Sequence, residues 1–192
     1  MQLNKTRELV AMGLFTALTC MVGLFFNKLA PVSLVPFSFL PMMSLLAGML
    51  LGSRGGALSM LAYMLMGLIG IPVFSSPPYG GPTYVIIPTF GFVIGFILSA
   101  FVVGKIMEKK EDPKLWYYGL AMLAGIMCYY AIGIPYLWAI INFVKGNAVT
   151  GMYAIKVAFL PFILTDLAKA AVATVLARAI AQRVKLAVHQ TS

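Results

Sequence analysis

The sequence predicts an all-α membrane protein, one domain of six transmembrane helices over residues 1–192 with both termini cytoplasmic. Three observations carry this. Of the 192 residues 61% are hydrophobic and 10% charged, and the mean hydropathy is +0.96, outside the range of water-soluble domains. Apolar runs able to cross a hydrocarbon core about 30 Å thick recur from end to end. The basic residues behind the net charge of +9 sit in short connectors and are not interleaved with aromatics, which argues against a nucleic-acid surface. A chain so filled by spans has no room for a soluble catalytic domain.

The runs predict helices at Glu8–Phe26, Phe37–Leu51, Gly55–Ile71, Pro88–Ile106, Leu115–Val144 and Pro161–Val184. The first follows Lys5 and Arg7 but is too long for a signal peptide, and further spans follow it. The second and third are short, so they cross with little tilt or where the bilayer is thinned. The last starts at Pro161, since proline costs nothing at the first helical position and removes a backbone bond in the interior. Residues 147–160 then form an outer loop or a short surface helix. Ten Lys and Arg fall on one side, namely Lys5, Arg7, Arg54, Lys105, Lys109, Lys110, Lys114, Arg178, Arg183 and Lys185, against Lys28, Lys145 and Lys156 on the other. That imbalance is what sets the termini in the cytoplasm.

Small residues recur at the spacing that lets helix backbones approach: Gly48, Gly52 and Gly56, then Gly91 and Gly95, and Gly13 with Ala17 on the first helix. Such pairs are mostly internal packing. The 13 methionines are adaptable filler, and Cys20 and Cys128, both within apolar runs, read as small hydrophobes. Tyr129, Tyr130, Tyr136 and Trp138 read first as interface anchors, with Tyr136 and Trp138 near enough to the outer end to stack on a ligand.

The outer connectors differ from the inner ones. Residues 72–88 read PVFSSPPYGGPTYVIIP, uncharged and dense in Pro, Gly, Ser and aromatics. The stretches NKLAPVSLVPF and Asn142 to Ala158 are also largely apolar. Such loops either close over a pocket or rest as plugs on the helix ends, and the sequence weighs the two evenly.

Few residues remain that carry chemistry. Glu8 sits at a helix start, where the dipole favours it. Asp166 and Lys169 lie inside an apolar run. At the bilayer centre each costs about 3 kcal/mol, so both face the protein interior or water. Three residues apart, they share a helix face with Cβ atoms about 5–6 Å from one another. An ion pair that only pins packing is one reading, although burying two charges often fails to repay their desolvation. The other is a ligand site: from Pro161, Asp166 is about 8 Å and Lys169 about 12 Å below the outer end, and the pair offers an acceptor beside a three-donor ammonium. There is no P-loop, no H-E-x-x-H, and the single histidine, His189, lies in the tail. No enzymatic activity, metal or cofactor is therefore expected.

Between Ser33 and Phe96 the chain contains, in order, VPFSF, AGMLLGSRGGALSMLAYMLMGLIGIPVF, GG and PTFGFVIGF, followed later by GIPYLW and LPFILTDLAKA. This combination strongly resembles the biotin-specific S components of energy-coupling-factor (ECF) transporters, the BioY family, over nearly the whole chain from the second helix on. The resemblance implies a six-helix S-component fold in the cell membrane that captures biotin from outside. It also implies a T subunit and two ABC-type ATPase subunits that drive uptake. By the family's motif its pocket Asp and Lys fall on Asp166 and Lys169. Phe74, Ser76, Tyr79, Thr89, Tyr136 and Ser38 are the further ligand-binding candidates, and Gly13 with Ala17 is the nearest match to the small-residue pair that docks on the T subunit. The family usually reads VPFTLQ where this chain has Val35-Pro36-Phe37-Ser38-Phe39-Leu40. The rival reading is an independent ion-coupled carrier in which Asp166 titrates, and a purely structural membrane subunit is a third.

Overall fold

The computed structural model describes residues 2–27, 38–110 and 113–190, and the side chains of residues 5–25, 38–110 and 113–180 among them. Lys28, Ser33, the Val35-Pro36-Phe37 part of VPFSF, and the side chains of Arg183, Lys185 and His189 lie outside the described set. Among the described residues there is no strand. The helices are α1 (Gln2–Asn27), α2 (Leu40–Leu68), α3 (Phe90–Met107), α4 (Leu115–Ala139), α5 (Gly151–Ala158) and α6 (Leu160–Gln190). A 3-10 turn covers Pro82–Ile86, and α4 runs on into a π-helical turn at Ile140–Val144. Five segments are long and apolar enough to cross a membrane: Lys5–Phe25, Leu40–Leu68, Phe90–Met107, Leu115–Val144 and Leu160–Ile180. The chain is thus a multi-pass membrane protein.

The sequence divides residues 37–71 into two helices separated at residues 52–54, whereas the structure makes the break a single residue. Gly52 has φ 74° and ψ −177°, a positive φ that glycine adopts without a Cβ penalty. The two limbs of α2 fold back on each other there. A Cβ on Gly56 would stand 2.8 Å from the carbonyl carbon of Ala47, although nine residues along a straight helix span about 13.5 Å. Likewise Ser75, beyond the end of α2, donates to Ser38, just before its start, at 3.1 Å. Leu40–Leu68 is therefore two limbs joined at Gly52, consistent with six helices in all.

Glu108 at the C-terminus of α3 clamps this reversal. Its Oε1 accepts from the Ser53 backbone N–H and from the Ser53 hydroxyl, both at 2.7 Å, which satisfies a donor at the start of the second limb and places negative charge at a helix N-terminus. The Ser53 hydroxyl and then its N–H, ahead of Lys105, hold this carboxyl below its ordinary pKa.

Close approach explains the glycine spacing. A Cβ on Gly48 would lie 2.3 Å from the Ala100 carbonyl oxygen on α3, and one on Gly95 would lie 2.8 Å from Tyr129 Cα on α4. α1 lies along the second limb of α2, where Thr16 donates to the Ser59 carbonyl at 3.1 Å. Gly13 and Ala17 are exposed on α1, with nothing within 4 Å of a Cβ built on Gly13. After α4, the short surface helix allowed by the sequence is α5, capped by the Thr150 hydroxyl accepting from Tyr153 N–H at 3.3 Å. α6 then begins at Leu160, with Pro161 in its first turn.

Candidate functional site

α2, α3, α4 and α6, with the end of α5 and the 72–88 loop, surround a cavity whose mostly apolar wall carries a few convergent polar groups, the composition of small-molecule sites. Its wall has three parts. Leu40, Pro41, Phe92, Val93, Phe96, Ala158 and Phe162 are apolar; Ser75, Tyr84 and Thr89 supply hydroxyls; Ser38, Tyr129, Tyr130, Asp166 and Lys169 form the charged part.

The charged part is built on the helical spacing of α6. Asp166 and Lys169, 5% and 7% exposed, pair with Lys169 Nζ donating to Asp166 Oδ1 at 3.0 Å. Nζ also donates to the Ser38 carbonyl at 2.7 Å and lies 5.6 Å from the centre of the Phe39 ring, which ties α6 to the start of α2. The other carboxylate oxygen, Oδ2, accepts from the hydroxyls of Tyr129 and Tyr130, each at 2.8 Å. Burying these charges without such partners would cost several kcal/mol (about 3–5). Among the described residues no group of three or more His, Cys, Asp or Glu side chains comes together that could hold a metal ion.

The hydroxyl part hangs from the 72–88 loop and the residue that follows it. Tyr84 Oη and Thr89 Oγ1 are hydrogen-bonded at 3.0 Å, either able to donate, Thr89 and Ser76 hydroxyls are 3.3 Å apart, and the Ser76 N–H donates to Tyr84 Oη at 3.3 Å. A ligand in this cavity meets a charged pair at one place, neutral hydroxyls at another, and aromatic and aliphatic wall between them.

Of the residues singled out from sequence, Asp166, Lys169, Ser38 and Thr89 line the cavity. Ser76 stands directly behind Thr89 and Tyr84. Phe74, Tyr79 and Tyr136, expected to cover a bound ring, are not part of the lining, and each has a local reason. The Phe74 ring fills the notch left by Gly67, where a Cβ would lie 2.1 Å from it, and supports Tyr84 from behind at a centroid distance of 4.2 Å. Tyr79 occupies a tight turn with φ 67°, its carbonyl accepting from Phe74 N–H at 2.8 Å. Tyr136 donates to the Val85 carbonyl and packs on Phe90 at 6.1 Å, stapling α4 to the 3-10 turn.

Tyr129 and Tyr130 are cavity-lining residues that sequence reasoning did not place at the site. Read as interface anchors, they are 1% and 4% exposed and hold the buried carboxylate. The signal was present. A phenol in the middle of an apolar helix needs an acceptor, and Asp166 is the one acidic residue in the interior of the predicted spans, Glu8 standing at a helix start.

The family model described as "BioY family" matches residues 1–186. A probable biotin transporter BioY of Lysinibacillus sphaericus is 37% identical over 174 residues, 91% of this chain and 86% of that protein. The biotin transporter BioY of Thermotoga maritima is 37% identical over 171 residues, 89% of this chain and 94% of that protein. A crystal structure of the S-component for biotin from an ECF-type ABC transporter superposes with a TM-score of 0.79 at 22% identity, covering 95% of this chain and 94% of that one, and so shares the fold. On the extent of the family match and the identity to these relatives, the chain belongs to the BioY family.

Proposed function

We propose that this chain is the biotin-binding S subunit of an ECF-type importer. It takes biotin from the outer side of the plasma membrane, and a T subunit with two ABC-type ATPase subunits supplies the energy. It is a transport protein and not an enzyme, it uses no cofactor, and its termini face the cytoplasm, as the distribution of Lys and Arg supports. The observation that carries the reading is the paired Asp166 and Lys169 on the wall of a cavity that also offers neutral hydroxyls and aromatic surface. Biotin has the matching chemistry: a carboxylate, a ureido group with N–H donors and a carbonyl acceptor, and an apolar ring and chain. The names of the relatives support the same ligand. Exposure of Gly13 and Ala17 on α1 supports a small-residue contact for the T subunit there.

Titration of the purified chain with biotin tests the ligand, and uptake of labelled biotin by cells with and without the ATPase partners tests the energy source. Saturable binding with partner-dependent uptake is expected. Absence of binding sinks the biotin reading, and full uptake without partners would favour the ion-coupled carrier.

A further inference from the structure

Consecutive residues on a helix point about 100° apart around its axis and do not normally meet. Tyr129 and Tyr130 nevertheless bring both hydroxyls to one atom, Oδ2 of Asp166, at 2.8 Å each. The carboxylate sits over the groove between the two side chains, whose rings are fixed by their neighbours. Tyr129 packs on Phe96 at 5.6 Å, and Tyr130 packs on Phe92 at 6.0 Å and on Phe159 at 5.0 Å. Gly95 allows the close approach of α3 and α4 at Tyr129, and Gly133, where a Cβ would lie 2.4 Å from the Phe92 ring, makes room for Phe92 beside Tyr130.

One phenol and the ammonium would be enough to satisfy a buried carboxylate. Two phenols on one oxygen with the ammonium on the other also fix the rotation of the carboxylate plane. That plane, with the Ser38 carbonyl at 2.7 Å, determines where Lys169 Nζ stands on the cavity wall. We infer that Tyr129 and Tyr130 are positioning residues for ligand capture, acting through Asp166 to hold Lys169 in place before the ligand arrives. Binding then spends less on ordering the site. The inference rests on the reading of the cavity as a biotin site.

The test uses the full chain purified in detergent as wild type, Tyr129→Phe, Tyr130→Phe, the double variant, Asp166→Asn, and the double variant combined with Asp166→Asn. Each is titrated with biotin, and the carboxylate stretch of Asp166, assigned by its loss in Asp166→Asn, is followed by infrared difference spectroscopy. Each single variant is expected to weaken biotin affinity about tenfold and the double about a hundredfold, as for hydrogen bonds to a charged group. The carboxylate band of the ligand-free protein shifts in step. In the Asp166→Asn background the same changes add less than about threefold, because their effect runs through the carboxylate. A double variant that binds within about threefold of wild type overturns the inference even if its Tm falls, since the phenols then serve the fold alone. Should the double variant fail to fold, the singles decide by the same criterion. A wild type that binds no biotin overturns the parent reading together with this one, whereas wild-type binding with unchanged variants overturns this one only.

Discussion

Replacing Lys169 with alanine removes an ammonium that is 7% exposed, that donates to Asp166 Oδ1 at 3.0 Å and that donates to the Ser38 carbonyl at 2.7 Å. Two acceptors lose a donor, and the carboxylate keeps its charge without its counter-ion. Breaking a buried pair by deleting one member costs about 3–5 kcal/mol. The two tyrosine hydroxyls remain on Oδ2, so the folding cost should fall near the lower end, about 3 kcal/mol. Biotin binding loses the ammonium contact and meets a stranded negative charge, a cost of about 2–5 kcal/mol, equivalent to a rise in Kd of about 30- to 5,000-fold. Calorimetric titration of the folded variant with biotin reads this directly, with a Tm measured on the same sample. A Kd within about threefold of wild type would show that the pair does not face the ligand.

Asp166→Asn should weaken biotin binding by a similar amount, about 2–5 kcal/mol, measured by the same titration, since it leaves the Lys169 ammonium without a counter-ion. Tyr136→Phe should leave biotin affinity within about threefold of wild type, because its hydroxyl is engaged by the Val85 carbonyl outside the cavity lining; a larger loss would return Tyr136 to the ligand contacts. Glu108→Ala should lower stability at neutral pH by about 0.5–1 kcal/mol, at the low end for a lost helix cap because this side chain is 43% exposed. The carboxyl's folded pKa is depressed, so its contribution is present above the ordinary carboxylate value and is lost as pH falls through the lowered one; Tm curves of wild type and variant against pH should converge at the acid end. Gly48→Ala should cost about 1–3 kcal/mol, read as a fall in Tm, because the new Cβ would stand 2.3 Å from the Ala100 carbonyl oxygen on α3.

Most of the architecture was legible in the sequence because lipid allows few solutions: every long apolar run must be a helix with its backbone satisfied internally. The break between residues 51 and 55 was legible and falls at Gly52. What was not legible is how it is held, because the clamp, Glu108, lies 55 residues away from Ser53. In the cavity, Asp166 and Lys169 could be isolated because charge in an apolar run is expensive wherever it points. Aromatic side chains carry no such penalty, so their destinations depend on which notches the glycines open. Gly67 takes the Phe74 ring and Gly91 receives Tyr136, and neither assignment follows from spacing along one helix. Tyr129 and Tyr130 fall between these cases. Their rings are placed by packing, but their hydroxyls needed acceptors, and Asp166 is the acidic side chain in the interior of the predicted spans.

The energetics of that acceptor also bear on why it is there. A buried ion pair is often replaceable by well-packed apolar residues at no loss, or a gain, of stability, and a membrane helix has still less need of charge for its own insertion. Here one pair draws in two tyrosines, a backbone carbonyl and the start of α2, an arrangement far larger than is needed to join α4 to α6, which small residues and apolar packing achieve elsewhere in this bundle. The pair, though buried between helices, also lines the wall of the cavity. A pin for packing alone needs no place on that wall. A pair whose carboxylate is held by the fold, and whose ammonium lines the cavity wall, stands where a ligand entering that cavity would meet it.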